Sequence, residues 1–449
     1  MKKSVLTFCA IVGLGLQAMA QGSQFWTEQA TGFSTPSRGI RDISVPSATA
    51  AWAISYDGSA TVPGQTKPPV QDYTRTTNGG QTWTSGTIPN AATWAFSNLS
   101  AIDANTAWVA MYNDATDSGG RIYKTTDGGA TWTQQGTTLF ANANSFLNIV
   151  HMFDANNGWL QGDPVGGEFE MYTTTDGGAT WTPVPAANIP NPLPGEFGTV
   201  DVYTTVGNNI IYFGTNKGRV FKSTDAGLTW TVGGTTGLTA VQDLAFSDAN
   251  NGLATFDDMI VRTSNGGVTW TSVTNYVGTM YTSDLAYVPG TPNTYVSTGA
   301  NGTNGSSYSI DGGQTWVDYD MGDQRTALTF YSPTVGYAGG FNQDATTGGI
   351  FKFNGTVISG LNDKEFSKNV KVFPNPSNGL VTIEVNKASG NTIAINVFDA
   401  LGRSVISKNE TLNGGSYANQ IDLTSFTKGI YMLQVQTGEN ISIRKIVIE

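Results

Sequence analysis

The feature that most constrains the fold is an eight-residue segment, here called the box, that recurs along the first three quarters of the chain. The segment TTDGGATW occurs twice, letter for letter, and four looser copies accompany it, at 76–83, 125–132, 174–181, 223–230, 263–270 and 309–316. The tryptophans that end the boxes are separated by 49, 49, 49, 40 and 46 residues. A period of this size is typical of propellers and solenoids.

A second repeated element lies between the boxes and opens with an alternating apolar pattern. Its first apolar column comprises Ile43, Leu99, Val150, Val200, Leu244, Leu285 and Leu328. A second apolar column follows two residues later, and period-two columns mark buried strand faces. Turns such as DANNG (154–158) predict hairpins. Each repeat therefore predicts four strands in roughly 40–50 residues, which is one propeller blade.

Seven copies of the alternating strand and six boxes leave one blade incomplete. The segment at 348–355 enters a last blade that has no box, and FWTEQATG (25–32) is similar to the strand that follows a box at 131–138. We therefore predict an all-β chain with a seven-bladed β-propeller over 22–359, closed by its N-terminal strand. Closure would remove the exposed edges of the sheets.

The two ends of the chain differ in composition from its centre. Lys2 and Lys3, an apolar run and AMA at 18–20 predict a secretory signal peptide over residues 1–20. The single cysteine, Cys9, lies inside it, so the mature chain has no disulfide. No later segment is apolar enough to span a membrane. After a polar linker at 360–369, new alternating strands predict a small Ig-like β-sandwich over 370–449.

The net negative charge of the first domain argues against polyanionic partners. Residues 22–362 hold 12 basic and 26 acidic residues, a net charge of −14, whereas residues 366–449 hold 8 and 6, a net charge of +2. An acidic first domain argues against nucleic acid and against anionic membrane surfaces.

The boxes read as tight turns rather than as catalytic groups. Asp and Asn cap turns by accepting backbone N–H bonds, and glycine supplies positive φ angles. Asn stands at two of the six Asp positions, an exchange that a general base or a metal carboxylate would not tolerate. The predicted structural residues are Asn78, Trp83, Asp127, Trp132, Asp176, Trp181, Asp225, Trp230, Asn265, Trp270, Asp311 and Trp316. A basic residue that recurs before the box is interpreted as scaffold too, at Arg75, Lys124, Lys222, Arg262 and Lys352.

These repeats resemble the Asp-box (BNR) repeat, S/T-x-D-x-G-x-T-W, of sialidases, sortilin-type receptors, xyloglucan-degrading glycosidases and photosystem II assembly factors. The pattern GW before YKTTDGGATW is most similar to the assembly-factor group. The resemblance implies a propeller whose boxes lie at the periphery, away from the ligand face. It implies no single activity, because the fold hosts unrelated functions.

The C-terminal segment carries four motifs in order: FPNPSNG (373–379), VFDALGR (397–403), LTSFTKGIYMLQV (423–435) and IRKIVIE (443–449). They resemble the C-terminal (Por) sorting domain of type IX secretion substrates. This resemblance implies that the chain interacts with the type IX machinery. It also implies a secreted or outer-membrane-anchored protein of a Gram-negative bacterium.

Few residues could carry chemistry. One histidine, His151, and no G-x-S-x-G motif nearly exclude a Ser-His-Asp hydrolase, and a His/Cys zinc site is excluded. We expect no metal and no cofactor. Glycosidase chemistry needs only two carboxylates with separated pKa values. Acidic candidates lie on the loops 161–170 and 183–201, at Asp163, Glu168, Glu170, Glu196 and Asp201.

Two functions therefore stay open. The first is a monomeric binding propeller that uses the loops at 57–72, 135–147, 161–170 and 183–201 to hold a glycan or a protein. Its candidate binding residues are Arg38, Arg41, Trp94, Phe140 and His151. The second is a glycoside hydrolase on the same face. Carboxylates that converge would favour hydrolysis, whereas scattered acids with exposed aromatics such as Trp94 and Phe140 would favour binding.

Overall fold

The structure, a computed structural model, describes residues 25–60, 67–300, 302–355, 366–388, 392–399, 404–412, 415–437 and 440–449. The predicted signal peptide and most of the predicted linker lie outside these ranges. The described chain is all-β apart from a 3₁₀ turn at Ala186–Asn188 and a helical turn at 366–368. Within the described ranges, no helix has the length and apolar character needed to cross a membrane.

The strands up to residue 353 are grouped in seven four-stranded antiparallel units, counted over the described residues. Strand β1 is Trp26–Ala30. Unit 1 contains β2 (Arg38–Ser44), β3 (Ala51–Asp57), β4 (Asp72–Thr76) and β5 (Thr84–Thr87). Unit 2 contains β6 (Trp94–Ala101), β7 (Ala107–Asn113), β8 (Ser118–Thr125) and β9 (Thr133–Gln135). Unit 3 contains β10 (Leu147–Met152), β11 (Gly158–Val165), β12 (Glu168–Thr174) and β13 (Thr182–Pro183).

The remaining units follow the same order. Unit 4 contains β14 (Gly198–Val206), β15 (Ile210–Thr215), β16 (Arg219–Ser223) and β17 (Thr231–Gly234). Unit 5 contains β18 (Asp243–Phe246), β19 (Gly252–Phe256), β20 (Met259–Thr263) and β21 (Thr271–Ser272). Unit 6 contains β22 (Asp284–Tyr287), β23 (Tyr295–Gly299), β24 (Gly305–Ser309) and β25 (Val317–Met321). Unit 7 contains β26 (Leu328–Ser332), β27 (Val335–Asp344) and β28 (Thr347–Phe353), with β1 as its fourth strand.

Unit 7 is completed from the other end of the chain. Strand β1 pairs antiparallel with β28, from Trp26 opposite Phe353 to Ala30 opposite Gly349. A single bridge between Gly39 and Phe341 also joins units 1 and 7. The first and last strands of this part of the chain are therefore direct neighbours.

Aromatic side chains fill the cores between successive units. The box tryptophan packs against the preceding unit: Trp132 of unit 2 meets Trp52 of unit 1 edge-on, with ring centroids 6.2 Å apart. Unit 7 has no box, and Trp26 fills the equivalent place, 5.1 Å from Phe353 and buried beside Phe330. Burial of large aromatic rings is a strong stabilising contribution at each boundary.

The basic residue before the box forms a second contact between units. Lys124 Nζ lies 4.5 Å from the centroid of the Trp108 ring and donates to the Gly177 carbonyl of the next unit at 2.9 Å. Lys222 lies over Tyr212 in the same way and donates to Ala249 at 3.1 Å. In these units the recurring basic residue serves the scaffold, through a cation–π contact and a hydrogen bond.

The box turn is held by its acidic or amide side chain. Asp127 Oδ1 accepts from the Thr131 N–H at 2.9 Å, and its Oδ2 accepts from the Thr131 hydroxyl at 2.6 Å. These hydrogen bonds lower the pKa of Asp127 to about 2. Asn78 makes the equivalent contacts, accepting from Thr82 N–H at 3.0 Å and donating to its hydroxyl at 2.9 Å. An amide therefore replaces the carboxylate without loss of the turn.

Two local predictions are wrong. The pairing of β14 shifts between Gly198 and Tyr203, so Tyr203, opposite Phe213, takes the place predicted for Val200 in the apolar column. Residues 161–170 are not a loop, because β11 and β12 continue through them and only Gly166 and Gly167 form the turn, both with positive φ. An irregular register and a two-glycine turn inside strand-like sequence account for these differences.

The C-terminal domain consists of two sheets around one apolar core. Its strands are β29 (Val370–Phe373), β30 (Leu380–Val385), β31 (Thr392–Phe398), β32 (Ser404–Thr411), β33 (Tyr417–Asp422), β34 (Gly429–Thr437) and β35 (Asn440–Ile448). One sheet has the order β29-β30-β33 and the other β32-β31-β34-β35. Phe366, just after the undescribed part of the linker, is buried in this core. The FPNPSNG motif covers the end of β35, where Asn375 Oδ1 accepts from Val447 N–H at 2.9 Å.

Candidate functional site

First strands of several units line two adjoining cavities, which are together called the channel here, and three of these strands present an aspartate at the same position. Asp42, Asp243 and Asp284 each lie directly before the apolar column, where they pair with Ile54, Thr255 and Thr298. Asp201 joins them from the irregular segment of β14, with φ at 63°. Four carboxylates from four units therefore line one channel.

Some of these side chains join neighbouring units. Asp42 Oδ2 accepts from the Leu99 N–H at 2.7 Å, and Asp284 Oδ2 accepts from the Leu328 N–H at 2.6 Å. Asn98, at the same position in unit 2, accepts from the Val150 N–H at 2.8 Å. Among the described residues, Asp201 and Asp243 accept no such bond from a neighbouring inner strand. Asp243 instead accepts from the Thr255 hydroxyl of its own unit at 3.4 Å.

The channel contains two cavities that share the acidic residues. One cavity has a volume of about 320 Å³ and the other about 390 Å³, and Asp201, Asp243 and Asp284 line both. The larger cavity is also lined by residues that precede the inner strands, at the end of the units opposite the boxes. Volumes of this size fall in the range of about 300–1,000 Å³ found for small-ligand pockets.

Burial and mutual repulsion control the charge of the channel. Burial raises the pKa of Asp42 to about 6 and that of Asp284 to about 7. Burial, with repulsion from neighbouring carboxylates, raises the pKa of Asp201 and Asp243 well above the ordinary value. Arg41 lines the larger cavity and is the one arginine or lysine among the described residues that line the two cavities, and its Nε donates to the Ser97 carbonyl at 3.1 Å. The channel therefore favours a positively charged group, whose approach would lower these pKa values again.

The described residues include no group of three or more His, Cys, Asp or Glu side chains placed to hold one metal ion. His151 lines the smaller cavity, and its Nδ1 lies 3.3 Å from the Tyr203 hydroxyl. Burial lowers the pKa of His151 to about 4, so the ring is neutral at physiological pH. It supplies a hydrogen-bonding group rather than a charge.

The acidic candidates on unit 3 lie away from this channel set. Asp163 accepts from Asn148 Nδ2 at 2.7 Å, and burial raises its pKa to about 6. Glu170 accepts from the Ser145 hydroxyl at 2.6 Å and the Tyr172 hydroxyl at 2.9 Å. Glu168, half-buried at the start of β12, leaves one buried carboxylate oxygen without a hydrogen-bond partner.

Glu196 holds its loop to unit 4. Its carboxylate accepts from the Leu193 N–H and from the Thr215 hydroxyl, each at 2.7 Å. It also forms an ion pair with Arg219 at 3.2 Å, and its side chain is completely buried. A carboxylate with all these partners is the anchor of the 183–198 connection.

The predicted binding residues divide into two groups. Arg41 lines the larger channel cavity and His151 the smaller one, and the acidic candidate Asp201 lines both. Arg38 is paired with Asp72 at 3.0 Å, and Trp94 is half-buried under Arg121, whose guanidinium lies 4.2 Å from the ring centroid.

The expectation that Phe140 is exposed is wrong. Only 2% of its surface is accessible, and the ring packs against Tyr172 with centroids 5.4 Å apart. An apolar ring in a long connection between two strands packs inward when a core position lies within its reach.

Sequence reasoning missed Asp42, Asp243 and Asp284. A signal was present, because each aspartate directly precedes a member of the apolar column, as in Asp243–Leu244. Aligning the seven inner strands one residue earlier shows an aspartate in three of them and an asparagine, Asn98, in a fourth.

Two families of known proteins match parts of the chain. Residues 117–243 match the family described as photosynthesis system II assembly factor YCF48, and residues 371–449 match the secretion system C-terminal sorting domain. No curated protein matches the chain.

Solved structures match the fold more widely. A structure of YCF48 bound to D1 peptide is 19% identical with a TM-score of 0.52, covering 74% of this chain and 97% of its own. YCF48 from Cyanidioschyzon merolae is 16% identical with a TM-score of 0.51, covering 74% and 98%. The GH74 xyloglucanase from Xanthomonas campestris, 11% identical, reaches a TM-score of only 0.48, covering 81% and 60%.

Both resemblances indicated by the motifs are confirmed: BNR-like repeats in a β-propeller, and a C-terminal type IX sorting domain. The sorting domain indicates export by type IX secretion, and hence a location outside the cell or on its surface.

Proposed function

We propose that this chain is a closed seven-bladed propeller, exported by type IX secretion, that binds a protein ligand by a basic side chain inserted into the acidic channel. The observation that carries this proposal is the convergence of Asp201, Asp243 and Asp284 on two adjoining cavities. Binding, rather than turnover, is its primary activity.

Closure of the ring is part of the proposal. Each of the seven units shares an apolar core with the next, and the core between units 7 and 1 includes Ile40 and Tyr337. The hydroxyl of Thr326, before unit 7, donates to the Ile40 carbonyl of unit 1 at 2.6 Å. These contacts support a ring in which unit 7 adjoins unit 1 and the channel is enclosed on all sides.

The chemistry of the channel supports a cationic group as the part of the ligand that enters. Four carboxylates face one arginine, and carboxylates bind guanidinium and ammonium groups by charge-assisted hydrogen bonds. A propeller of similar fold has been solved with a bound peptide. An extended peptide with an exposed lysine or arginine fits both points.

The test is a binding titration with the purified protein. A peptide with a central arginine would be compared with the same peptide carrying citrulline, which keeps the shape of the side chain and removes its charge. We expect Asp243→Asn to weaken binding of the arginine peptide about tenfold, which corresponds to about 1.4 kcal/mol. Asp225→Asn, in a peripheral box, is the matched control and should bind normally. Equal affinity for both peptides would rule out the proposal.

A second candidate function is glycoside hydrolysis in the same channel. The observation that favours it is the raised pKa of Asp284, about 7, beside other carboxyls, since a general acid must stay protonated at working pH. The assay is release of reducing ends from a panel of polysaccharides. Turnover that is lost in Asp284→Asn, with normal folding, would establish the hydrolase in place of the binding module.

A further inference from the structure

A third cavity, remote from the channel, lies between units 5 and 6 at the end that carries the boxes. Its volume is about 420 Å³, and its lining includes Leu253, Arg262, Asn293, Tyr295 and Asp311. The hydroxyl-bearing residues Thr263, Ser264, Thr269 and Thr271 also line it. The volume is within the range of about 300–1,000 Å³ of small-ligand pockets.

At this cavity, unit 5 lacks an aromatic ring that several other units carry. In units 1, 2 and 4 the residue opposite the basic position is Trp52, Trp108 or Tyr212. Each ring reaches the next unit, as when the Tyr212 hydroxyl donates to the Ala249 carbonyl at 2.7 Å. In unit 5 the residue opposite Arg262 is Leu253, a smaller side chain that packs in one apolar core with Tyr295 and Trp316 of unit 6. The space that a ring would fill stays open.

Because Leu253 stands where other units carry an aromatic ring, Arg262 has no aromatic partner among the described residues. Lys124 and Lys222 are half-buried over their rings and donate to the neighbouring unit. Arg262 is exposed on the cavity, and no hydrogen bond or ion pair of its guanidinium occurs within the described part of the chain. Its five N–H donors are therefore available to a ligand.

Asp311 lies on the opposite wall of the cavity, and its contacts differ from those of the other box aspartates. In Asp127, Asp176 and Asp225 the Oδ2 atom accepts a threonine hydroxyl at 2.6 Å. Asp311 Oδ1 accepts from the Thr315 N–H at 2.9 Å and from the Ser309 hydroxyl at 2.9 Å, but the bond from the threonine hydroxyl to Oδ2 is not made. Within the described part of the chain, Oδ2 of Asp311 therefore has no hydrogen-bond donor, and Asp311 lines the cavity.

We infer that this cavity is a sugar site for a neutral hexopyranose, such as the terminal residue of a glycan. A guanidinium that only donates and a carboxylate that only accepts together satisfy adjacent hydroxyls, each of which does both. Leu253 and Tyr295, each 1% exposed, supply the small apolar part of the lining, which the C–H face of the ring would meet. The paired charges disfavour a ligand with a net charge of either sign, because Asp311 repels anions and Arg262 repels cations.

The test titrates the purified full-length chain with methyl glucoside, methyl galactoside and methyl mannoside, and in parallel with glucuronic acid and glucosamine. We expect saturable millimolar binding of at least one neutral hexoside and weaker binding of the charged sugars. No saturation by any neutral hexoside, or tighter binding of a charged sugar, would overturn the inference.

Two variants localise the site. Leu253→Trp fills the cavity with the ring that units 1 and 2 carry, so affinity should fall at least tenfold while the melting temperature stays the same or rises. Asp311→Asn keeps the turn, as Asn78 and Asn265 do, and should lower affinity about tenfold without changing the melting temperature. Unchanged affinity in either variant, provided that it folds, would overturn the site.

A channel variant separates this inference from the proposed function. Asp243→Asn should leave hexoside affinity unchanged while it weakens binding of the arginine peptide. Loss of hexoside binding in Asp243→Asn would place the sugar in the channel and overturn the inference. Failure of the peptide test would not contradict the sugar site, because its cavity shares no lining residue with either cavity of the channel.

Discussion

Asp284 of unit 6 accepts the backbone N–H of Leu328 in unit 7 at 2.6 Å, so a carboxylate that lines the channel also joins two units. Burial raises the pKa of this carboxyl to about 7, above the ordinary value of about 3.9. The folded state therefore binds more protons than the unfolded state between about pH 4 and pH 7.

Stability should consequently fall as pH rises through this window. The contribution of Asp284 is fully present below about pH 4 and is lost as pH rises through about 7. We expect the melting temperature at pH 8 to be several degrees lower than at pH 5. Asp284→Asn should reduce this difference, because an amide does not ionise and Asn98 already makes the equivalent bond in unit 2. A pH profile that is identical in the variant would contradict this account.

Removal of the Trp26 side chain, which lies in the strand that completes unit 7, should strongly destabilise the propeller. Trp26 is 3% exposed, and its indole N–H donates to the Ser306 hydroxyl of unit 6 at 2.9 Å. Trp26→Ala should lower the free energy of unfolding by about 3–5 kcal/mol, as for other buried tryptophans. Chemical denaturation measures the loss, and Val268→Ala, at a position that is 70% exposed, is the control. A loss no larger than that of the control would argue against closure by β1.

The box should tolerate an amide and not an apolar side chain. Asp127→Asn should leave the melting temperature nearly unchanged, because Asn78 makes the same contacts. Asp127→Leu removes the acceptor of the Thr131 N–H and should lower it. Thermal melts of both variants give the comparison. Loss of ligand binding in a normally melting Asp127→Asn protein would assign the box a chemical role instead.

Replacement of the basic residue before the box should lower stability in some units and not in others. Lys222→Met removes a hydrogen bond to the Ala249 carbonyl and a contact with the Tyr212 ring, and should lower the free energy of unfolding by about 1 kcal/mol. Arg262→Met, the matched variant one unit later, should have no measurable effect. Equal losses in the two variants would show that Arg262 has a structural partner after all.

Export should depend on the C-terminal domain. A chain without 366–449 should fold its propeller and accumulate inside the outer membrane, whereas the full chain reaches the surface or the medium. Asn375→Ala removes the acceptor of the Val447 N–H and should reduce export by a smaller factor. Cell fractionation of the three chains measures this. Similar extracellular amounts of the full and truncated chains would contradict the sorting role.

The repeat made most of the fold predictable. A spacing of 40 to 49 residues between box tryptophans fixes the size of a unit, and the similarity of 25–32 to a post-box strand predicted the pairing that β1 makes with β28. The prediction failed where the register is irregular. A local shift such as that before Tyr203 leaves no periodic trace, so Val200 was assigned to the wrong column.

The site was less predictable, because its residues come from different units at one height of the channel. Acids that lie close together in the sequence, such as Glu168 and Glu170, are easily predicted as a site. Asp42, Asp243 and Asp284 are more than 40 residues apart from one another in the chain, so the sequence does not group them. Whether Phe140 and Glu196 are buried depends on packing that no local pattern records. The cavity beside Leu253 became visible only by comparing equivalent positions across units.

The pairing of β1 with β28 also sets an order of events during synthesis. Trp26 leaves the ribosome more than 300 residues before Phe353, its partner. At about 5–20 residues per second, the first strand waits roughly a quarter of a minute to a minute before the edge it occupies exists. Until then the apolar face of β1 is open to other contacts. We therefore expect a holding chaperone to bind the nascent chain until the last unit emerges.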